Sequence, residues 1–331
     1  MERFLVTGSS GHLGEALVRT LRARGQDVAG LDVLPSPYTT ITGSVGDRET
    51  VRRALDGVTY VLHTATLHKP HVESHRRQDF VDTNVSGSLT VFEEAAAAGV
   101  TGVVFSSSTS AFGRALTPAA GEPAAWITED VHPVVRNIYG ATKVAAEDLA
   151  GLAARDLGLP TIVLRAARFF PEPDDRDDVR AAYSDDNLKV NEFLYRRVDL
   201  ADVVDAHILA ARRAPEIGFG RFIVSATTPF TPDDLAELAV DAPAVVARLF
   251  PEIAADYQRW GWRMFPALDR VYVNDRARAA LGWVPRYDFR TVVDLVRAGG
   301  PARSPLATAV GAKGYHSAPT GIYTGQPEAP A

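Results

Sequence analysis

The chain has 331 residues, 46% of them apolar, a formal charge of −6 and an isoelectric point near 5.8, so it can bury a large core, as one domain or as a domain with a smaller lobe. The acidic balance excludes a basic surface for nucleic acid, no uncharged apolar run approaches the roughly 18 residues that cross a bilayer, and the lack of cysteine excludes disulfides and thiolate–metal sites. Met1-Glu2-Arg3 runs straight into a short strand with no signal peptide, so the expected location is the cytoplasm.

Short apolar runs predict strands near 3–7, 27–32, 38–42, 59–63, 102–107 and 160–165, with helices near 12–24, 48–56, 78–98 and 138–157. Gly102-Val103-Val104-Phe105 and Thr161-Ile162-Val163-Leu164 are apolar without alternation, as in strands covered on both faces. Strands alternating with helices imply an α/β fold with a doubly wound parallel sheet. After Arg168 the regularity breaks: Phe170-Pro171-Glu172-Pro173 and the acidic run 174–178 read as an irregular excursion. The pattern returns at Val198, with Asp202 as expected N-cap of a helix through about 213 and a strand near 221–225. Later segments carrying Trp260, Trp262, Phe265 and Trp283 are expected to build a smaller lobe over the carboxyl ends of the strands. The expected division is therefore 1–168 plus about 198–226 for nucleotide binding, and about 169–197 plus 227–300 for substrate. The Pro-, Gly-, Ala- and Ser-rich tail, 301–331, is expected to be poorly ordered or packed on a partner.

Two stretches carry the chemistry. Thr7-Gly8-Ser9-Ser10-Gly11-His12-Leu13-Gly14 follows the first strand with G-x-x-G-x-x-G spacing. Gly8 permits a tight turn, Gly11 lets backbone approach a pyrophosphate, and Gly14 allows close helix–strand packing, with the phosphates at the helix N-terminus. Asp32, ending the second strand, can accept hydrogen bonds from the adenosine ribose and would repel a 2′-phosphate, which favours NAD over NADP. Asp47 is placed either to reach the adenine amino group or to cap the next helix.

Tyr139 and Lys143, in Tyr139-Gly140-Ala141-Thr142-Lys143, are spaced i, i+4 and share a helical face. A protonated lysine beside a phenol stabilises the phenolate, so the tyrosine can exchange a proton with an alcohol. The run Ser106-Ser107-Ser108-Thr109-Ser110 follows the fifth strand, where a hydroxyl can hold the substrate oxygen.

With these residues in place the chain resembles, over about 1–295, the extended short-chain dehydrogenase/reductase family, also called the NAD-dependent epimerase/dehydratase family. Further matches are His63-Thr64-Ala65, Asn84-Val85-Ser86-Gly87-Ser88, Phe112-Gly113, Leu164-Arg165, Val198-Asp199-Leu200-Ala201-Asp202-Val203 and Leu281-Gly282-Trp283-Val284-Pro285. The resemblance implies a Rossmann fold, catalysis by Ser108, Tyr139 and Lys143, and homodimerisation through two helices per subunit. It implies cofactor contacts from Gly8, Ser10, Gly11, His12, Leu13, Gly14, Asp32, Asp47, His63, Ala65, Asn84, Ser106, Tyr139 and Lys143. Sugar-nucleotide enzymes of the family carry Asn and Gly-Pro where this chain has Arg168 and Phe170-Pro171, and the segment from Arg168 to Val198 is short. A smaller carbonyl or alcohol substrate therefore fits better.

Ser108, Thr109, Arg168 and Arg196 are candidate substrate contacts, the arginines (with Arg197) either clamping an anionic group or pairing with the acidic run. His63, His68, His71 and His75 lie close in sequence, but Pro70 interrupts and Lys69 competes, so no metal is expected; His68 or His71 could instead touch substrate. The leading expectation is an NAD-dependent oxidoreductase of a secondary alcohol or ketone. A sugar-nucleotide epimerase with tightly held NAD is second, and a dinucleotide-sensing regulator, which the retained tyrosine and lysine disfavour, is third.

Overall fold

The computed structural model describes residues 2–174 and 176–313; Asp175 of the acidic run and the tail from 314 onward lie outside the described residues. Among the described residues the strands are β1 (Arg3–Thr7), β2 (Asp27–Asp32), β3 (Ile41–Thr42), β4 (Tyr60–His63), β5 (Gly102–Ser108), β6 (Ala125–Ile127), β7 (Thr161–Ala166), β8 (Phe219–Val224) and β9 (Arg270–Tyr272). Seven of them form one parallel sheet, β3-β2-β1-β4-β5-β7-β8, as the alternating pattern predicts. β6 and β9 pair in parallel as a separate ribbon that the sequence pattern did not reveal.

The helices that matter for the site are α1 (His12–Ala23), α2 (Arg48–Ala54), α3 (Gly87–Ala97), α4 (Ile138–Asp156), α5 (Asp185–Glu192), α6 (Leu200–Ile217), α7 (Ala242–Leu249), α8 (Ile253–Trp260), α9 (Phe289–Arg297) and α10 (Pro305–Val310). Successive strand side chains point to opposite faces. Phe4, Val6, Leu62, Val104 and Ile162 thus join a core with residues of α1 and α6, while Leu5, Val61, Val103 and Val163 join one with residues of α2, α3 and α4. Burial on both faces explains the unbroken apolar runs. A third core gathers Val190 of α5, Val245 of α7, Tyr257 of α8, Val271 of β9 and Val292 of α9. Trp283 belongs to the α1–α6 core and not to this third one, its indole N–H donating to the Asp202 carbonyl at 3.0 Å.

Three local differences from expectation have physical causes. The N-cap before α6 is Asp199, not Asp202: Asp199 Oδ1 accepts the Ala201 N–H at 2.7 Å and Oδ2 accepts the Ser304 N–H at 2.8 Å. Asp202, one turn in, accepts the N–H groups of Arg286 (3.0 Å) and Tyr287 (2.9 Å) instead. The helix expected near 78–98 is interrupted by a π-helical turn over Val81–Ser86, where Asn84 turns its side chain to another element (below). At the start of the expected tail, α10 folds against α1 and α6 of its own chain.

Candidate active site

β1 and β4 end side by side, Thr7 beside His63, while β5 and β7 run on past them, His63 lying beside Phe105 and the strand ends Ser108 and Ala166 beside each other. Their carboxyl ends form the floor where doubly wound sheets bind ligands. After β1 the chain turns at Gly8 with φ of 72°, its N–H donating to the Leu31 carbonyl at 2.7 Å. A Cβ on Gly8 would lie 2.7 Å from the Ala65 nitrogen, and one on Gly14 1.9 Å from the Gly8 oxygen. The turn, the end of β4 and the start of α1 therefore pack backbone on backbone. Gly11 occupies the N-cap of α1 without a side chain, so the N–H groups of the first turn remain available to an anion.

Asp32 accepts the N–H of Ser10 and of Leu34, each at 2.9 Å, which ties the glycine loop to the end of β2. Ser10 Oγ donates to the Leu34 carbonyl at 2.9 Å. Asp47 caps α2, accepting the Glu49 N–H at 3.2 Å and the Thr50 hydroxyl at 2.5 Å. His12 and Leu13 are buried, and His12 Nε2 lies 2.7 Å from Glu172 Oε1. Burial works against the Glu172 charge, but His12 and the Lys313 N–H (2.9 Å) hold its carboxyl below the usual range. The Lys313 ammonium pairs with Glu15 of α1. Sequence reasoning missed Glu172 and Lys313; the one local signal was a lone carboxylate between two prolines.

Ser108 ends β5 and caps the short turn holding buried Thr109, its Oγ accepting the Ser110 N–H at 3.1 Å. Asn137 caps α4 by accepting the Gly140 N–H at 3.0 Å, which places Tyr139 in the first turn and Lys143 one turn on. Tyr139 is buried; burial pushes its phenol up to about 12, with the nearby Ser108 hydroxyl acting against this. The Lys143 ammonium donates to the Ser106 carbonyl at 2.8 Å and lies 4.7 Å from the Phe105 ring centroid. Burial pushes it down to about 7, with Glu147 acting against this. Glu147 is itself committed to Arg165 (2.7 Å) and to the Ser107 hydroxyl (2.6 Å). The site thus pairs a proton-bearing phenol with an amine that changes charge near neutral pH, the combination proton transfer to an alkoxide requires.

Asn84 spends its amide on two elements. Its oxygen accepts the Leu67 N–H at 2.8 Å and the Thr66 hydroxyl at 3.0 Å, and its nitrogen donates to the Leu67 carbonyl at 2.8 Å and to Thr142 Oγ1 at 3.0 Å. It is a strut from the loop after β4 to α4. His63 and His207 are fully buried. His63 places Nδ1 2.7 Å from Thr7 Oγ1 and Nε2 3.0 Å from Ser88 Oγ. His207 places Nδ1 2.8 Å from the Val203 carbonyl and Nε2 2.8 Å from Ser106 Oγ. The polar side-chain atoms of His63 and Ser106 are therefore engaged inside the protein.

Burial, then the nearby Lys143 charge, pushes His63 down to about 3, and burial pushes His207 down to about 4, from an ordinary 6.5. Below pH 6.5 the unfolded chain takes up these protons and the folded chain does not, so each histidine costs about 1.4 kcal/mol of stability per pH unit. Asp202, pushed up to about 6 by burial, acts in the opposite sense between 6 and its ordinary 3.8. A net loss of about 2–3 kcal/mol is expected between about pH 6.5 and about pH 5, read from urea unfolding at the two pH values. Equal or greater stability at the lower pH would show that these histidines are not held neutral.

Arg168 bonds Asp174 at 2.6 Å and Glu192 at 3.0 Å, Arg196 bonds Glu192 at 2.8 Å, and Arg197 bonds Glu192 at 2.7 Å. Burial opposes the Glu192 charge, but the three guanidiniums outweigh it and hold the carboxyl at about 2. The arginines thus tie the segment after β7 to the end of α5, and Arg168 also reaches Asp174 of the acidic run. His68 stacks on Phe170 at 5.5 Å, His71 meets His68 edge-on at 4.8 Å, and His75 meets His71 at 5.0 Å. Among the described residues no group of three or more His, Asp or Glu is arranged to hold a metal. No helix among them is long and apolar enough to cross a membrane. Trp260 and Trp262 pack on Tyr257 in the third core, and Phe265 lies edge-on to Tyr183 and Tyr195.

A parallel doubly wound sheet, a glycine turn against the first helix and a Ser–Tyr–Lys group at the strand ends define a dinucleotide-binding enzyme of the Rossmann class. The chain belongs to the NAD-dependent epimerase/dehydratase family, whose profile matches residues 4–221. It is similar to the 4-hydroxy-2-methyl-3-oxo-4-farnesyl-3,4-dihydroquinoline-1-oxide ketoreductase of Stigmatella aurantiaca, 27% identical, over 91% of this chain and 97% of that one. It is also similar to a UDP-glucose 4-epimerase of Streptomyces lividans, 26% identical, over 64% of this chain and 72% of that one. The chain spans about half the length, or less, of two other curated relatives it matches. A solved short-chain dehydrogenase/reductase superfamily protein from Agrobacterium tumefaciens with bound NAD shares the fold, with a TM-score of 0.64, 22% identity, and coverage of 90% of this chain and 98% of that one.

Proposed function

We propose that the protein is an oxidoreductase that interconverts a secondary alcohol and its ketone, using NAD held by the Gly8–Gly14 turn and Asp32. The observation that carries this reading is the placement of Tyr139 and Lys143 one helical turn apart on α4, which packs against the end of β5 that carries Ser108. The residues fit NAD: a Cβ on Gly8 or Gly14 would strike backbone in the cradle, and Asp32 stands at the end of β2, where its charge disfavours a 2′-phosphate. When bound, the nicotinamide ring supplies the acceptor or donor of the hydride at its C4 carbon. Ser108 orients the substrate oxygen, Tyr139 takes the alcohol proton in oxidation or returns it in reduction, and Lys143 supplies the charge that lowers the phenol toward working pH. Alcohol plus NAD then gives ketone, NADH and one proton.

Likeness to an epimerase supports a second reading, in which the same residues act on a sugar nucleotide with no net redox change. The arginine knot around Glu192 gives no support to it, because the guanidiniums near the site are already committed to carboxylates. The exposed Leu89 on α3 and Leu152 on α4 support pairing of two copies through these helices. The test is a panel of secondary alcohols and ketones, with UDP-glucose included, assayed with NAD or NADH and with NADP or NADPH. Net NADH formation or consumption is expected with a small alcohol or ketone. UDP-galactose formed from UDP-glucose without net NADH would replace this reading by the second, and turnover only with NADP would refute the role of Asp32.

A further inference from the structure

We infer that His63 is a positioning residue that holds the Asn84 turn, and through it the Tyr139–Lys143 helix, rather than a contact to the cofactor; the inference rests on the functional reading above only in calling that helix catalytic. The hydrogen bonds around His63 have one consistent direction. The Ala65 N–H donates to Thr7 Oγ1 at 3.2 Å, which leaves the Thr7 hydroxyl proton for His63 Nδ1 at 2.7 Å. On the other side, the Ser88 hydroxyl donates to the Asn84 carbonyl at 2.6 Å, so Ser88 Oγ must accept from His63 Nε2–H at 3.0 Å. An imidazole that accepts at Nδ1 and donates at Nε2 is neutral and in a single tautomer.

The line therefore runs from Ala65 through Thr7, His63 and Ser88 to the Asn84 carbonyl. It begins at the glycine turn and ends in the π-helical segment Val81–Ser86. A π-turn leaves backbone carbonyls without regular helical partners, and the Ser88 hydroxyl supplies one to Asn84. With its backbone pinned, Asn84 aims its amide at Thr142, whose hydroxyl in turn donates to the Tyr139 carbonyl at 3.0 Å. From Thr7 to Asn84 the line is buried, with Phe92 and Phe105 at 6.1 and 5.6 Å from the His63 ring, so water cannot replace a missing link there.

The experiment uses the full chain. Histidine-selective 15N NMR should show His63 as the neutral Nε2–H tautomer from about pH 5 to about pH 9. Ser88→Ala breaks the line while leaving the His63 ring in place, and His63→Gln breaks it at its centre. Lys143 is one of only four lysines in the chain, so its titration can be followed by lysine-selective 13C NMR without any ligand. In Ser88→Ala the midpoint of Lys143 should rise by about half a pH unit or more as α4 loosens and water reaches the amine, while NAD affinity, measured by calorimetry, stays within about threefold. The opposite His63 tautomer, or a Lys143 midpoint unmoved in both variants even where melting falls, would overturn the inference. So would a large loss of NAD affinity in His63→Gln with none in Ser88→Ala, since that is the signature of direct contact. Failure of the wild-type chain to bind NAD would refute the functional reading instead, and the Lys143 titration would still decide this one.

Discussion

Tyr139→Phe is expected to lower turnover about a thousandfold while NAD still binds with an affinity within about threefold of wild type. The ring is buried in the first turn of α4, so phenylalanine fills the same space and only the hydroxyl is lost. That hydroxyl lies near Ser108, and on the proposed reading it is the group that exchanges a proton with the substrate oxygen. Its proton is held tightly, because burial pushes the phenol to about 12. On the proposed reading, catalysis near neutral pH draws on the positive charge of Lys143, whose ammonium burial pushes down to about 7. Steady-state kinetics on the substrate found in the panel, with calorimetry for NAD, separates the chemical step from binding. A variant that keeps more than about a tenth of wild-type turnover would remove Tyr139 from the acid–base role.

The second large effect is steric. In Gly14→Ala the new methyl would lie 1.9 Å from the Gly8 oxygen and 2.6 Å from the Gly8 carbonyl carbon, and both are backbone atoms that no rotamer change can move aside. Either the turn unwinds or α1 shifts away from it. A stability loss of about 3 kcal/mol or more is expected, lowering the melting temperature by roughly 10 °C, together with at least about a hundredfold weaker NAD binding. Gly11→Ala is the informative contrast, because its methyl would meet the Gly8 oxygen at 3.3 Å, a tight contact that a shift of a few tenths of an ångström relieves. That variant should melt close to wild type yet bind NAD more weakly, since the added methyl projects from the N-cap that the pyrophosphate must approach. If Gly14→Ala melts and binds NAD like wild type, the compact turn described above is wrong; if Gly11→Ala binds NAD normally, the pyrophosphate lies elsewhere.

The parts of the site that could be read along the chain are those built by local geometry. The glycine spacing describes a turn and the helix it enters, and Tyr139 and Lys143 share a face because four residues make about one helical turn. The sheet was equally legible, because strands buried on both faces carry unbroken apolar runs, as Gly102–Phe105 of β5 and Ile162–Leu164 of β7 do. Asp199 and Asp202 show where such reading stops. Either carboxylate could cap a helix, and the choice was made by the N–H groups of Ser304, Arg286 and Tyr287, which arrive from far along the chain.

The sequence by itself therefore determined the class of sheet, the glycine turn and the helical face that carries the tyrosine and lysine, because each is set by spacing within a few residues. Only the tertiary structure decided how the polar groups are spent: His63 and His207 inside hydrogen-bonded lines, Asn84 as a strut, three arginines on Glu192, and Glu172 between His12 and Lys313. A buried polar side chain must find a partner, and which partner it finds depends on what the fold brings beside it from elsewhere in the chain.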